Sequence, residues 1–143
     1  MTHFEESRGT LTITTDPARL NAEEIYRFLS GAYWARHRSR DAVERSLKNS
    51  LCFGLYDADN QVGLARVVSD FATFAYLCDV YVLDSYQGRG LGHWLVQSVM
   101  SHPDLQNLRR WLLATRDAHR LYRKSGFTPL QSPERWMEVL TDN

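Results

Sequence analysis

Residues 82–93 (VLDSYQGRGLGH) decide how this chain folds. An apolar strand-like run ends at Leu83, three glycines follow at alternate positions (Gly88, Gly90, Gly92), and an apolar-faced helix begins at Leu91. Leu91, Trp94, Leu95 and Val99 recur at the spacing of one helical face. Glycines at these positions remove side chains where backbone N–H groups can approach a ligand, and the positive end of the following helix points at the same place. The pattern describes an anion site for phosphate or pyrophosphate. The competing reading is a glycine-rich turn that only packs helix on strand.

Working outward, residues 73–83 (TFAYLCDVYVL) form a long β-branched and aromatic strand. Before it, residues 51–57 (LCFGLYD) and 61–69 (QVGLARVVS) flank the turn Ala58-Asp59-Asn60 as the arms of a hairpin. Further upstream, Asn21 and Ser39 are expected to cap two helices, with Ile25, Phe28, Leu29 and Ala32 on one face of the first and Val43 and Leu47 on the second. Residues 10–14 (TLTIT) alternate as a first strand. Downstream, residues 110–115 (RWLLAT) read as a buried strand, and Asp117 is positioned to cap a short helix that stops before Gly126. Residues 136–140 (WMEVL) are expected to close the chain as a final strand. The order β-α-α-β-β-β-α-β-α-β gives a mixed α/β domain of the α+β type, with helices on both faces of a mostly antiparallel sheet.

Composition sets the outer bounds. The 143 residues, 43% apolar and 24% charged, suit one domain over residues 1–143 with an adequate core and exclude a disordered chain. Seventeen basic residues balance seventeen acidic ones, which argues against a nucleic-acid binder that depends on a basic face. Within residues 85–133, however, Arg89, Arg109, Arg110, Arg116, Arg120, Arg123 and Lys124 face only Asp104 and Asp117, a local excess suited to a small polyanion. No apolar run approaches the ~18 residues of a membrane span, and the polar start (MTHFEESRGT) carries no export signal, so a cytoplasmic protein with no membrane partner is expected. Cys52 and Cys78 are read as free thiols of a reducing compartment. His93, His102 and His119 lack metal-ligand spacing, so no metal is expected.

Two nucleotide fingerprints fail at the glycine loop. G-x-G-x-x-G needs glycine where His93 stands, and a Walker loop needs a lysine that residues 49–123 do not contain. The string Gln87-Gly88-Arg89-Gly90-Leu91-Gly92 instead matches Q/R-x-x-G-x-G/A, and Leu121-Tyr122-Arg123-Lys124-Ser125-Gly126-Phe127 matches L-Y-x-x-x-G-F. With these motifs in this element order, the sequence resembles the GNAT superfamily of acyl-CoA-dependent N-acetyltransferases. The resemblance is firm over residues 51–130 and looser before them. It implies a GNAT-like fold and acetyl-CoA as cosubstrate, with Val80, Tyr81 and Val82 offering main-chain groups to the pantetheine arm. Gln87, Gly88, Arg89, Gly90, Leu91, Gly92 and His93 would then hold the pyrophosphate. It also implies that Tyr122 protonates the leaving thiolate. The alternative for Tyr122 is an amphipathic core aromatic. Many family members carry asparagine seven residues before that tyrosine, where this chain has Thr115.

An alkylamine with a pKa of about 10.4 is neutral in only about one molecule in a few thousand at pH 7, so acetyl transfer benefits from a base or a water chain. Asp79, in the middle of the long strand, is the candidate base. Strand parity predicts that it shares a face with Leu77 and Tyr81, opposite Cys78 and Val80. Arg66 lies nearly opposite on the hairpin, so Asp79 is equally an ion-pair partner, or else a substrate contact. Tyr33 and Trp34 can wall an acceptor site, with Arg36 or Arg38 and Arg66 as further substrate-side groups. No nucleophile elbow is present, which favours direct attack by the amine over an acyl-enzyme. The function expected is acetylation of a primary amine, most simply of a small molecule, by a monomer or homodimer. The alternatives are a non-catalytic acyl-CoA-binding module and an acetyltransferase for protein N-termini or lysines.

Overall fold

A computed structural model describes residues 3–141. The chain runs β1 (Glu5–Arg8), β2 (Leu11–Thr14), α1 (Ala22–Ser30), α2 (Arg40–Lys48), β3 (Leu51–Asp57), β4 (Asn60–Ser69), β5 (Phe74–Val82), α3 (Leu91–Ser101), β6 (Arg110–Leu112) and α4 (His119–Arg123). The strands form one sheet in sequence order, antiparallel from β1 to β5 and parallel between β5 and β6. Among the described residues no helix is long and apolar enough to cross a membrane.

Local chemistry explains most boundaries. The Asn21 side chain accepts from Glu24 N–H at the start of α1, and Ser39 accepts from Ala42 N–H at the start of α2. Each helix buries a narrow stripe, Ile25 and Leu29 in α1 and Val43 and Leu47 in α2. These side chains join Cys52, Leu64 and Tyr81 in a core on one face of the sheet. On the other face, Trp94, Leu95, Val96 and Val99 of α3 pack on Phe53, Leu55, Val67 and Leu77.

Four expectations need correction. The N-terminal strand is half of a hairpin, because Glu5–Arg8 pairs with Leu11–Thr14 although all four of its residues are exposed. Exposed polar strands leave no hydrophobic alternation to read. Residues 136–140 pair with no strand among the described residues, so the expected final strand is absent from the sheet. Asp117 does not cap α4. Thr115 Oγ1 accepts from Ala118 N–H at 3.0 Å and organises that turn instead.

The fourth correction concerns parity in β5. Leu64 pairs with Tyr81 and Arg66 with Cys78, so Ala65 alone opposes both Asp79 and Val80. This is a β-bulge, and Asp79 is the inserted residue, at φ +52°. One extra residue exchanges the faces beyond it. Leu77 and Val80 therefore pack on the α3 side, while Tyr81 packs against α1 and α2.

Candidate active site

Three elements converge at the C-terminal end of β5. Among the described residues, β5 and β6 pair only from Phe74–Arg110 to Tyr76–Leu112, and beyond Tyr76 this edge of β5 has no strand neighbour through Val82. The two strands thus part, and the β5 edge at Val80, Tyr81 and Val82 borders the opening without a strand partner among the described residues. Unpaired strand edges offer N–H and C=O groups to an extended ligand.

The glycine loop closes one end of that opening. Gln87 Nε2 donates to the Val82 carbonyl at 3.0 Å, Tyr86 donates its hydroxyl hydrogen to Asp57 at 2.6 Å, and Arg89 lies 5.0 Å from the centre of the Tyr86 ring. These contacts fix the loop to β3 and β5. Gly88 and Gly90 take φ +81° and +75°, and a Cβ on either would meet nothing within 4 Å, so the space above the loop is open. Gly90 is the N-cap of α3 and supplies no side-chain acceptor. The first N–H groups of the helix, on Leu91, Gly92 and His93, are accordingly left without intrahelical partners, an arrangement that fits a pyrophosphate. The Gln87 side chain braces the strand, so only its main chain remains for a ligand.

Tyr122 stands on α4, buried against Phe127 with ring centroids 6.0 Å apart. Burial pushes its phenol up to about 12, and the nearby Tyr33 phenol and Cys78 thiol act in the same direction. It is therefore protonated at neutral pH and is a proton donor there. Burial similarly raises the Cys52 thiol to about 12 and that of Cys78 to about 11, leaving neither as a thiolate nucleophile.

On the α1–α2 side, the bulge delivers the Asp79 carboxylate to three donors. Trp34 Nε1 donates to Oδ1 at 2.7 Å, while Arg38 Nη1 and Arg66 Nε donate to Oδ2 at 2.7 and 2.9 Å. The Asp79 side chain is 1% exposed. Burial alone would raise its pKa, but the two guanidinium groups outweigh that effect and hold it below the usual carboxylate range. Arg66 also donates to Ser50 Oγ at 3.0 Å.

The segment between α1 and α2 is tied to the far side of the opening. Tyr33 accepts from Arg116 N–H at 3.2 Å, and the Arg116 guanidinium lies 3.8 Å from the centre of the Tyr33 ring. Tyr33 and Trp34 meet edge to face at 5.2 Å. Trp34, Tyr33 and Arg66 are thus brought to one place, whereas Arg36 is exposed. The Tyr33–Arg116 tie and the role of Ser50 were not found in the sequence, because no motif or periodicity links positions so far apart. His93 has a buried Nδ1 without a hydrogen-bond partner. Among the described residues, no group of His, Cys, Asp or Glu could hold a metal ion.

Comparison with known proteins agrees with this geometry. The sequence profile of the acetyltransferase (GNAT) family matches residues 18–127. A Gibberella zeae protein named as a candidate acetyltransferase is 36% identical over an alignment covering 83% of this chain and 79% of its own. A crystal structure of a candidate GNAT-family acetyltransferase from Xanthomonas campestris pv. campestris is 47% identical, covers 92% of this chain and 93% of its own, and superposes with a TM-score of 0.89. The same fold, at 17% identity and a TM-score of 0.66, occurs in N-acetylglutamate synthase from Neisseria gonorrhoeae, solved with coenzyme A and N-acetyl-glutamate; the match covers 90% of this chain and 30% of that one. With a profile matching most of its length and a 47% identical relative of the same shape, this chain belongs to the GNAT family and is an N-acetyltransferase.

Proposed function

We propose that residues 1–143 act as one domain that transfers an acetyl group from acetyl-CoA to the primary amine of a small molecule. The observation that carries this reading is the opening between β5 and β6, with the glycine loop at its end and the protonated Tyr122 beside it. Acetyl-CoA supplies the acyl group as a thioester, from which attack by the amine releases a thiol. The N–H groups from Gly88 to His93 bind the pyrophosphate, and the free edge of Val80–Val82 aligns the pantetheine arm and polarises the thioester carbonyl. Tyr122 delivers a proton to the departing sulfur.

We assign Asp79 a positioning role. An ionised carboxylate already shared by three donors is a poor proton acceptor, so the proton of the amine leaves through solvent. Asp79 instead fixes Trp34, Arg38 and Arg66 at the acceptor end. The Tyr33–Arg116 tie narrows the approach there, which supports a small amine over a polypeptide.

The test is acetyl-CoA turnover against a panel of small amines and peptides, followed by thiol release. Small amines should be acetylated, with kcat/KM rising about tenfold per pH unit below the pKa of the amine as its neutral fraction grows. Turnover restricted to peptides, or a pH profile with an added enzyme base titrating near neutrality, would overturn the reading.

A further inference from the structure

Arg38 and Arg66 reach one carboxylate from different parts of the chain. Arg66 belongs to β4 and Arg38 to the segment before α2, and both donate to Oδ2 of Asp79. Trp34 holds the other oxygen. A guanidinium carries five N–H donors. Among the described residues, Arg38 uses one on Asp79, while Arg66 uses one on Asp79 and one on Ser50. No guanidinium nitrogen of either is buried without a partner, so the donors left over are open to a ligand. The two side chains are nevertheless only 24% and 11% exposed. Such partly desolvated donors are costly to leave unpaired, and a purely structural ion cluster would use them internally.

The pair also lies at a useful distance from Tyr122. Arg66 is the cross-strand partner of Cys78. Burial first, then Tyr33 and Cys78, raise the Tyr122 phenol, so Cys78 is within electrostatic reach of the proton donor as well. Tyr76 stands two residues before Cys78 and therefore shares its face of β5. Tyr76 and Tyr33 are both exposed, and Tyr33 meets Trp34 edge to face. Aromatic surface thus lies between a proton donor and a pair of cations.

We propose that the acceptor is an amino carboxylate whose carboxylate is clasped by Arg38 and Arg66 while its amine reaches the thioester beside Tyr122. The premise is acetyl transfer to a small amine, as proposed above. Asp79 neutralises one of the two guanidinium charges, so a monoanion completes the balance and a phosphate dianion exceeds it. A planar carboxylate also fits the fork of a guanidinium. In the reaction the amine nitrogen bonds to the acetyl carbon and the carbon–sulfur bond breaks. The amine proton leaves to solvent, the sulfur takes the Tyr122 proton, and Tyr122 regains one from solvent. The products are an N-acetyl amino carboxylate and the free thiol of coenzyme A.

The test compares γ-aminobutyrate, ε-aminocaproate, phenylalanine and p-(aminomethyl)benzoate, each with its primary amide, at equal concentrations of neutral amine. At least one acid should exceed its amide roughly 10-fold to 100-fold in kcat/KM, mainly through KM, the range for hydrogen bonds to a charged group. Arg38→Gln, confirmed as folded by circular dichroism, should erase that preference, and Arg38→Lys should restore part of it. Calorimetric binding of the same acids and amides to the wild-type protein loaded with coenzyme A needs neither turnover nor a variant, and should rank them alike. Acids bound above amides but never acetylated would overturn acetyl transfer and leave the arginine clasp standing. Acids and amides bound equally, or a preference that survives Arg38→Gln, would overturn the clasp whether or not amines are acetylated. Tighter binding of the phosphonate analogue of p-(aminomethyl)benzoate would overturn the carboxylate assignment.

Discussion

Replacing Asp79 with asparagine removes a charge that three donors share, and the consequence is first one of stability. Arg38 and Arg66 would be left half-buried beside a neutral amide, and breaking such a pair from one side costs about 3–5 kcal/mol. The sign of the pH dependence follows from the depressed pKa. The unfolded carboxyl titrates at about 3.9 and the folded one lower, so this stabilisation is complete above about pH 4 and is lost as pH falls through the folded value. Thermal melts should show a lower midpoint for Asp79→Asn at pH 7 and convergence with wild type in acid. Tyr122→Phe tests a different property. The ring still packs on Phe127, while the proton is gone, so kcat should fall about 100-fold to 1,000-fold with acetyl-CoA affinity nearly unchanged. Stopped-flow turnover beside calorimetric binding separates the two effects, and wild-type turnover would make Tyr122 a packing residue.

The start of α3 decides whether the loop is an anion site. Gly90→Asp adds a side chain into open space, and aspartate tolerates the left-handed region better than most residues, so the fold should survive. Its charge would nevertheless lie where a pyrophosphate is read to bind. Calorimetry should show acetyl-CoA binding abolished in a folded variant, and unchanged affinity would remove the loop assignment. Elements such as this one were legible because their signals are local. Asn21, Ser39, the helical face of Leu91, Trp94, Leu95 and Val99, and the two motifs around Gln87 and Tyr122 all stand within a few residues of what they specify. The bulge was not legible. It exists only in the pairing of β4 with β5, and strand alternation read from one chain segment carries no sign of an inserted residue. The same holds for the net around Asp79. Arg66 was within reach of hairpin register, but Trp34 and Arg38 lie more than forty positions away in sequence. Residues 136–140 suggest a strand by pattern but form none among the described residues, because a pattern does not supply the edge that a strand must pair with.

At the scale of the whole molecule, two cores share one sheet. Strands β3, β4 and β5 contribute side chains to both, Phe53 beside Cys52, Ala65 beside Leu64, Val82 beside Tyr81. Neither face can lose its packing without exposing strands on which the other depends, so unfolding should be a single cooperative transition. Trp94 reports on one core and Trp34 packs against the other. Melting followed by tryptophan fluorescence and by far-ultraviolet circular dichroism should therefore coincide, and separated midpoints would show that the α1–α2 side opens independently.

The cluster beneath the bulge has a consequence for which molecules can approach. Two guanidinium groups surround one carboxylate, which leaves an uncancelled positive charge close to the proposed acceptor end. Arginine does not titrate in the working range and Asp79 does so only in acid, so this charge is permanent. Protonated amines meet an unfavourable potential there and their neutral forms do not. If acceptors bind here as proposed, the site would sort them by charge state on arrival, and an acceptor with an anionic group of its own would bring the missing counter-charge with it.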